Sequence, residues 1–431
     1  MVVQVPNEYP LADHLAELGR IPLTTVLLER DCLGYGLSTF RSSGQAFIAA
    51  DGSGARMGFH KAGTALNSRP SSPLTKDKHS TRALLQRHGL PAPRGRRFRP
   101  YDFASASAYA EELGYPVVLK PLHGTQGRGV VTGITSPQDL EWAFQDISRT
   151  SFAEDDVLLE EHIEGETYRI IVIGNRAVSA LISRHGQVTG DGRRTVRELI
   201  GERQELRRRN PHLMSRLIRM DERMEHLLAR QGVGLGDVLP AGETVEFTYG
   251  SNTHQGGEPA QVLGRMHPSI LEASASAVAA VPGLEFAGVD FIIPDITRPL
   301  DQQPSAICEI NSVPAADSHE FPLYGEPVSV TREMVRHTAE RTGLHLTGFS
   351  EDVSLAVRLQ GGDFQHHYVE WIAEKARAMD LDGDVQRPEL DLLEGTLCGE
   401  VAHAAVWLAL ALRGPDPQHT PAAASVEVRH V

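Results

Sequence analysis

The stretch Tyr115-Pro116-Val117-Val118-Leu119-Lys120-Pro121-Leu122-His123-Gly124-Thr125-Gln126-Gly127-Arg128-Gly129-Val130 decides how this chain is read. A short apolar run ends in a lysine and opens at once into a loop with three glycines. Apolar residues so close to a cation predict a strand that carries an ammonium to the edge of a site. Gly124, Gly127 and Gly129 let the backbone turn its N–H groups toward an anion without Cβ clashes, and a polyphosphate is the obvious anion. No Gly-Lys-Ser/Thr closes the loop, so the pattern is not Walker's. Its glycine spacing is not that of the dinucleotide fingerprint either. A plain turn after a buried strand competes for the stretch taken alone. Residues further along the chain weigh against that plainer reading.

Ala287-Gly288-Val289-Asp290-Phe291-Ile292-Ile293 and Ala306-Ile307-Cys308-Glu309-Ile310-Asn311 are predicted to pair as an antiparallel hairpin. Within one strand, residues two apart point to one face, so Glu309 and Asn311 project side by side. Asp290 on the neighbouring strand can join them. The set offers hard oxygen donors without sulfur or imidazole, which suits Mg2+ held against substrate phosphates. An ordinary polar strand end explains Glu309 alone, but explains the three together poorly. The segment Val157-Leu158-Leu159-Glu160-Glu161-His162-Ile163-Glu164-Gly165 is an apolar strand breaking into polar residues, a connection able to present backbone groups to an adenine edge.

The chain has 431 residues, 41% hydrophobic and 23% charged, with a net charge of −14. That length fits about two to four domains with a large core. The acidic balance argues against nucleic acid as the main partner, but not against ATP, which needs only a few local cations and a metal. No apolar run approaches the ~20 residues that span a membrane, and the first residues lack the basic and apolar regions of a signal peptide. Cys32, Cys308 and Cys398 are far apart and odd in number, which fits reduced thiols in the cytoplasm better than disulfides.

Residues 1–70 read as a small α/β region with strand-like pieces at Thr24-Thr25-Val26-Leu27-Leu28 and Ala46-Phe47-Ile48-Ala49-Ala50. Helices are expected near 76–88 and 102–113. Strands are expected at 157–160 and 168–173, with Gly174-Asn175 as a two-residue hairpin signal. Residues 196–231 read as a long polar helical segment rich in arginine. A helix is expected near 327–342. Residues 350–431 read as a mostly helical extension with a frayed tail from Thr420. Among Arg193, Arg194, Arg197, Arg203, Arg207, Arg208 and Arg209, some could grip a substrate carboxylate, but a solvated helix face is the plainer reading for most. Gln365-His366-His367 reads as an exposed helical pair, and Trp371 and Trp407 as helix-packing residues.

With these residues on the page, the chain resembles the ATP-grasp carboxylate–amine ligases, most closely the ATP-grasp portions of cyanophycin synthetase and the bifunctional glutathione synthetase. The landmarks run in family order: Asp77-Lys78, Val118-Leu119-Lys120-Pro121 with the glycine loop, Glu160 through Arg169, Gly190-Asp191-Gly192-Arg193-Arg194-Thr195-Val196-Arg197-Glu198-Leu199-Ile200, Ser251-Asn252-Thr253-His254-Gln255-Gly256-Gly257, Ala287-Gly288-Val289-Asp290, and Glu309-Ile310-Asn311. The resemblance implies an ATP-grasp fold of the α/β (α+β) class, with ATP held between two α+β subdomains. The ATP-grasp domain would cover 71–349, with a flap subdomain at about 90–156.

It also implies roles. Lys78 and Lys120 would contact the ATP phosphates, and Gly124, Gly127 and Gly129 would form the flap over them. Glu160 would take the adenine amino group, with Glu161 and Ile163 supplying backbone contacts. Asp290, Glu309 and Asn311 would hold Mg2+. Arg169 and Asn252 would lie near the transferred phosphate or substrate. In the family an acid two residues after the hinge glycine meets the ribose. Here Gly165 is followed by Glu166 and then Thr167, so either could serve. The loop Asn311-Ser312-Val313-Pro314 departs from the family's usual Asn-Pro-Gly-like sequence beside the acceptor pocket. A homodimer is the family habit. The implied activity is ADP-forming amide synthesis between a small carboxylate and an amine. A small-molecule kinase and a nucleotide-sensing protein remain alternatives.

Overall fold

The computed structural model describes residues 5–19, 21–64, 66–123, 129–248, 253, 256–362, 364–415 and 420–429. The chain divides into two compact units. One comprises Asn67–Gly186 and Thr248–Pro314; the other comprises Met1–Leu66, Gln187–Phe247 and Ala315–Val431.

The first unit contains two antiparallel sheets. The four-stranded sheet runs in the order Gly95–Phe98, Val157–Glu161, Val117–Pro121, Val131–Ile134. Val117, Leu119, Val157 and Leu159 pack with Ala106 and Ala110 of the helix Phe103–Leu113 and with Leu140, Ala143 and Ile147 of the helix Pro137–Ser148. The period-2 alternation of a strand therefore turns Lys120 and Glu160 to the other face. The five-stranded sheet runs Glu258–Gln261, Arg176–Arg184, Glu166–Ile173, Phe286–Ile293, Ala306–Asn311. Gly174 and Asn175 make the expected two-residue turn, with Arg176 facing Ile173 across it. The expected hairpin of Phe286–Ile293 with Ala306–Asn311 is also present, and Asp290 lies directly opposite Glu309.

The second unit differs from the sequence reading in three places. Thr24–Leu28 is not a strand: it lies in the helix Leu23–Gly34, nearly all of whose residues are buried. Its β-branched Thr24, Thr25 and Val26 favour a strand locally, but burial on every side outweighs that propensity. Residues 350–431 are not mostly helical, and within the expected frayed tail Ala423–Arg429 is a strand. They fold as strand, helix, strand, strand, helix, strand: Asp352–Gln360, His366–Ala378, Asp382–Glu389, Leu392–Glu400, Val401–Arg413, Ala423–Arg429. In sheet order the fourth strand is followed by the first, third and second, a split βαβ arrangement. Residues 1–70 do not form a domain of their own. Ser38–Ser43 pairs with Ala423–Arg429, so the chain's two ends build one eight-stranded sheet.

Helices Leu23–Gly34 and Val401–Arg413 pack together in this unit. Trp407 is fully buried and donates its indole N–H to the Ile372 carbonyl, so it is the packing residue expected, and Trp371 packs partly buried against the same core. The polar segment expected near 196–231 is two helices, Val196–Arg208 and Glu222–Arg230, with their own small core around Leu199, Ile200, Met224 and Leu228. Thr195 and Glu198 close a capping box at the start of the first. Arg207 departs from the expected solvated face: it is wholly buried and donates to the Arg216 carbonyl. His366 starts its helix and lies exposed beside Glu370, 3.1 Å away.

Candidate nucleotide site

The site is assembled within the first unit by one helix and the two sheets. Asp77 caps the helix Lys78–Arg87, accepting from the backbone N–H of His79 at 2.9 Å and Ser80 at 3.2 Å and from the Ser80 hydroxyl at 2.8 Å. Burial works against the Asp77 carboxylate, but these donors outweigh it and keep its pKa below the ordinary value. The cap explains the Asp77-Lys78 pair: the aspartate fixes the helix start, and the next residue carries the charge.

Lys78 and Arg82 lie one turn apart on one face of that helix. Lys78 Nζ lies 4.0 Å from Glu309 Oε1, on the five-stranded sheet. Arg82 Nη1 lies 3.4 Å from Glu160 Oε1, on the four-stranded sheet. A single helix thus places one cation on an acid of each sheet. Lys120 reaches Glu160 from the adjacent strand, with Nζ 2.5 Å from Oε2. Burial opposes the Lys120 charge, yet the carboxylates around it, Glu160 foremost, hold its pKa above the usual lysine value.

On the five-stranded sheet, Arg169, Asp290 and Glu309 occupy one row across three neighbouring strands. Arg169 grips Asp290 with two bonds, Nε to Oδ1 at 2.7 Å and Nη2 to Oδ2 at 2.6 Å. Such bidentate pairs are strong and directional. Asn311 Nδ2 lies 3.4 Å from Asp290 Oδ2, so the three expected metal ligands do converge. Burial raises the pKa of Glu309 and the neighbouring Asp290 adds to it, against Lys78, Arg169 and Lys120. An acid so placed gains from a nearby divalent cation, and the all-oxygen donor set fits Mg2+. A register shift between Asp290 and Phe291 sets Cys308 beside this row, and burial pushes its thiol up to about 12.

Across this group, every cation faces an acid: Lys78 on Glu309, Lys120 and Arg82 on Glu160, Arg169 on Asp290. Four cations thus meet three acids, with Glu160 shared by two of them. A triphosphate with a divalent cation would satisfy the same groups by exchanging partners, lysines to phosphate oxygens and carboxylates to metal.

The other expected residues fall as follows. Gly129 has φ +72°, and a Cβ there would come within 2.9 Å of Pro121 Cγ, so the position calls for glycine. Gly124, Gly127 and Asn252 lie outside the described residues. Glu161 ends its strand and is held by Arg94 through the backbone N–H at 2.7 Å and Nε at 2.8 Å. Ile163 lies half-buried in the connection that follows. Glu166 begins the strand Glu166–Ile173, where alternation gives it the face opposite Arg169. Thr167 shares the Arg169 face, so of the two ribose candidates the strand geometry favours Thr167. Arg82 and Gly95 were missed. The i,i+4 spacing of Lys78 and Arg82 was the available signal for the first. Nothing in the sequence marked Gly95, which lies opposite Glu160 in the sheet.

The chain is similar to several known proteins. Residues 77–173 match the model of the carbamoyl-phosphate synthase L chain ATP-binding domain. Cyanophycin synthetase of Geminocystis herdmanii is 35% identical over 267 residues, which cover 61% of this chain and 30% of that protein. The glutathione biosynthesis bifunctional protein of Streptococcus thermophilus is 31% identical over 264 residues, 60% of this chain and 34% of that one. The matches thus span about a third of the length of these relatives. A bifunctional glutathione synthetase from Pasteurella multocida superposes with a TM-score of 0.60 at 23% identity, covering 75% of this chain and 44% of the other. The fold is ATP-grasp, and the resemblance read from the motifs stands. Among the described residues, no helix is long and apolar enough to cross a membrane.

Proposed function

We propose that this chain is an ADP-forming carboxylate–amine ligase, joining an amino acid or other small carboxylate to an amino-acid amine. The observation that carries the reading is the convergence of Lys78, Lys120 and Arg169 on Glu309, Glu160 and Asp290, with Asn311 at the metal end. Those are the charges that a triphosphate and its counter-ion would engage together.

A carboxylate is a poor acyl donor because its leaving group would be oxide. Transfer of the γ-phosphoryl group to a carboxylate oxygen gives an acylphosphate and ADP. The amine then attacks the acyl carbon, phosphate leaves, and the amine gives up a proton to form the amide. The protein's part is positional and electrostatic. Asp290, Glu309 and Asn311 would hold Mg2+, which supplies counter-charge to the phosphate oxygens. Lys78 and Lys120 draw charge from the phosphates. Glu160 accepts from the adenine amino group, Glu161 and Ile163 offer backbone contacts, and Thr167 faces the ribose. Arg169, half-exposed beside Asp290, is free on its outer edge to meet the transferred phosphoryl group. The segment containing Gly124, Gly127 and Gly129 excludes water, which would otherwise hydrolyse the acylphosphate. Three free thiols and the use of ATP fit a reducing, cytoplasmic setting.

The test is ADP release with Mg2+ across pools of amino acids and dipeptides, followed by mass analysis. Substrate-dependent ADP with a product lighter by one water than the two substrates together supports the ligase. A phosphoester product makes the chain a kinase. Bound ATP with no substrate-dependent ADP makes it a nucleotide sensor.

A further inference from the structure

Arg82 is 6% exposed and ends on Glu160, the carboxylate proposed to take the adenine amino group. Its other terminal nitrogen, Nη2, lies 2.9 Å from His79 Nδ1. A guanidinium has no acceptor, so His79 Nδ1 must accept and the ring proton sits on Nε2. Arg82 is thereby fixed at both ends of its fork. The space it crosses exists because residue 95 has no side chain. A Cβ on Gly95 would fall 2.6 Å from Glu160 Cγ, 2.8 Å from Arg82 Nη1 and 2.5 Å from the Leu159 carbonyl oxygen. Arg82, Gly95 and Glu160 therefore form one fitted group.

We propose that Arg82 is the positioning residue for base selection, holding the Glu160 carboxylate aimed while Lys120 serves the phosphates; this rests on the site being an ATP site. Each Glu160 oxygen has its own cation, Oε2 on Lys120 and Oε1 on Arg82. A triphosphate competes for Lys120, whereas Arg82 is held by His79 and Glu160 behind Gly95. It remains as the counter-charge. An ionised carboxylate accepts from the 6-amino group of adenine and repels the 6-oxo group of hypoxanthine or guanine. A carboxylate free to turn would no longer hold its acceptor against the 6-amino group, and the distinction would fade.

The experiment titrates ATP and ITP, each with Mg2+, against the full-length wild type and the variants Arg82→Met, Arg82→Lys and Gly95→Ala, reading Kd by calorimetry. One charge-assisted hydrogen bond gives the wild type a preference for ATP of about 10- to 100-fold. Arg82→Met brings the ITP/ATP ratio of Kd values to about threefold or less. Arg82→Lys keeps most of it, and Gly95→Ala loses part of it. A purely structural role would lower the melting temperature and leave the ratio alone. A ratio within twofold of wild type in folded Arg82→Met overturns the proposal. Should that variant fail to fold, an unchanged ratio in Gly95→Ala overturns it equally. A wild type that binds neither nucleotide refutes the ATP site itself, which the same titration reveals separately.

Discussion

Replacing Lys120 by methionine keeps most of the side-chain length and removes the charge. The structure lets the two consequences be separated. Lys120 and Glu160 have side chains only 9% and 7% exposed. Breaking a buried pair by deleting one partner usually costs 3–5 kcal/mol, because the surviving charge stays buried. Glu160 keeps Arg82 as a second partner at 3.4 Å, so the lower end applies, about 3 kcal/mol. For a domain of some 150–250 residues that lowers the melting temperature by about 6–12 °C. Adding Glu160→Gln to Lys120→Met removes the carboxylate but strands the buried Arg82 guanidinium, so the lost stability does not return. Nor does function return: ADP release stays lost by about a thousandfold in both variants, the scale of removing a preorganised charge from a phosphoryl-transfer site. The assays are thermal unfolding followed by circular dichroism, with and without Mg·ATP, and coupled ADP release. Wild type should gain stability from Mg·ATP and both variants should not. Lys120→Met with wild-type turnover would refute the phosphate role. A double variant clearly more stable than Lys120→Met would refute the energetic account of the group.

Glu309→Gln keeps the shape of the side chain and removes one of two carboxylates from the metal end. Turnover should be lost with the fold intact, and raising Mg2+ should not restore the wild-type rate. Wild-type turnover in this variant would remove Glu309 from the site. Deleting residues 421–431 should unfold the second unit: Ala423–Arg429 pairs on both sides, with Ser38–Ser43 and Asp352–Gln360, and buries Val426, worth about 2 kcal/mol by itself. A truncated chain with unchanged protease resistance would contradict that placement. The buried His212 should make stability depend on pH. Burial holds its pKa below the ordinary value against the pull of Asp317, to which its Nδ1 bonds at 2.7 Å, with Arg216 and Arg207 lowering it further. The unfolded chain then takes up a proton, near pH 6.5 and below, that the folded chain refuses. Stability therefore falls as pH drops from about 7 to 5.5, by up to about 1.4 kcal/mol per unit. Denaturant titrations at the two pH values should show this loss in wild type and a smaller one in His212→Gln; equal losses would sink the assignment.

The parts of this protein legible in its sequence are those where chemistry and local geometry coincide. Lys120 sits at the end of an apolar run because the strand that buries Val117 and Leu119 must turn Lys120 the other way. Glu309 and Asn311 share a face by strand period alone, and the register then sets Asp290 opposite Glu309. What stayed hidden depends on residues distant in sequence. The edge strand Asp382–Glu389 is exposed along nearly its whole length and carries no apolar alternation to read. Ala423–Arg429 looks like a loose tail until its partner is known to be Ser38–Ser43, at the far end of the chain. Gly95 has no local signature, because its need for glycine comes from Glu160 and Arg82 filling the space where its Cβ would be. Arg82 follows the same logic. Its i,i+4 spacing from Lys78 was visible, but its partner became visible only when the four-stranded sheet set Glu160 within its reach. A charge cluster of this kind announces its outermost members in sequence and conceals the residues that hold them, because holding is done by packing between segments far apart in the chain.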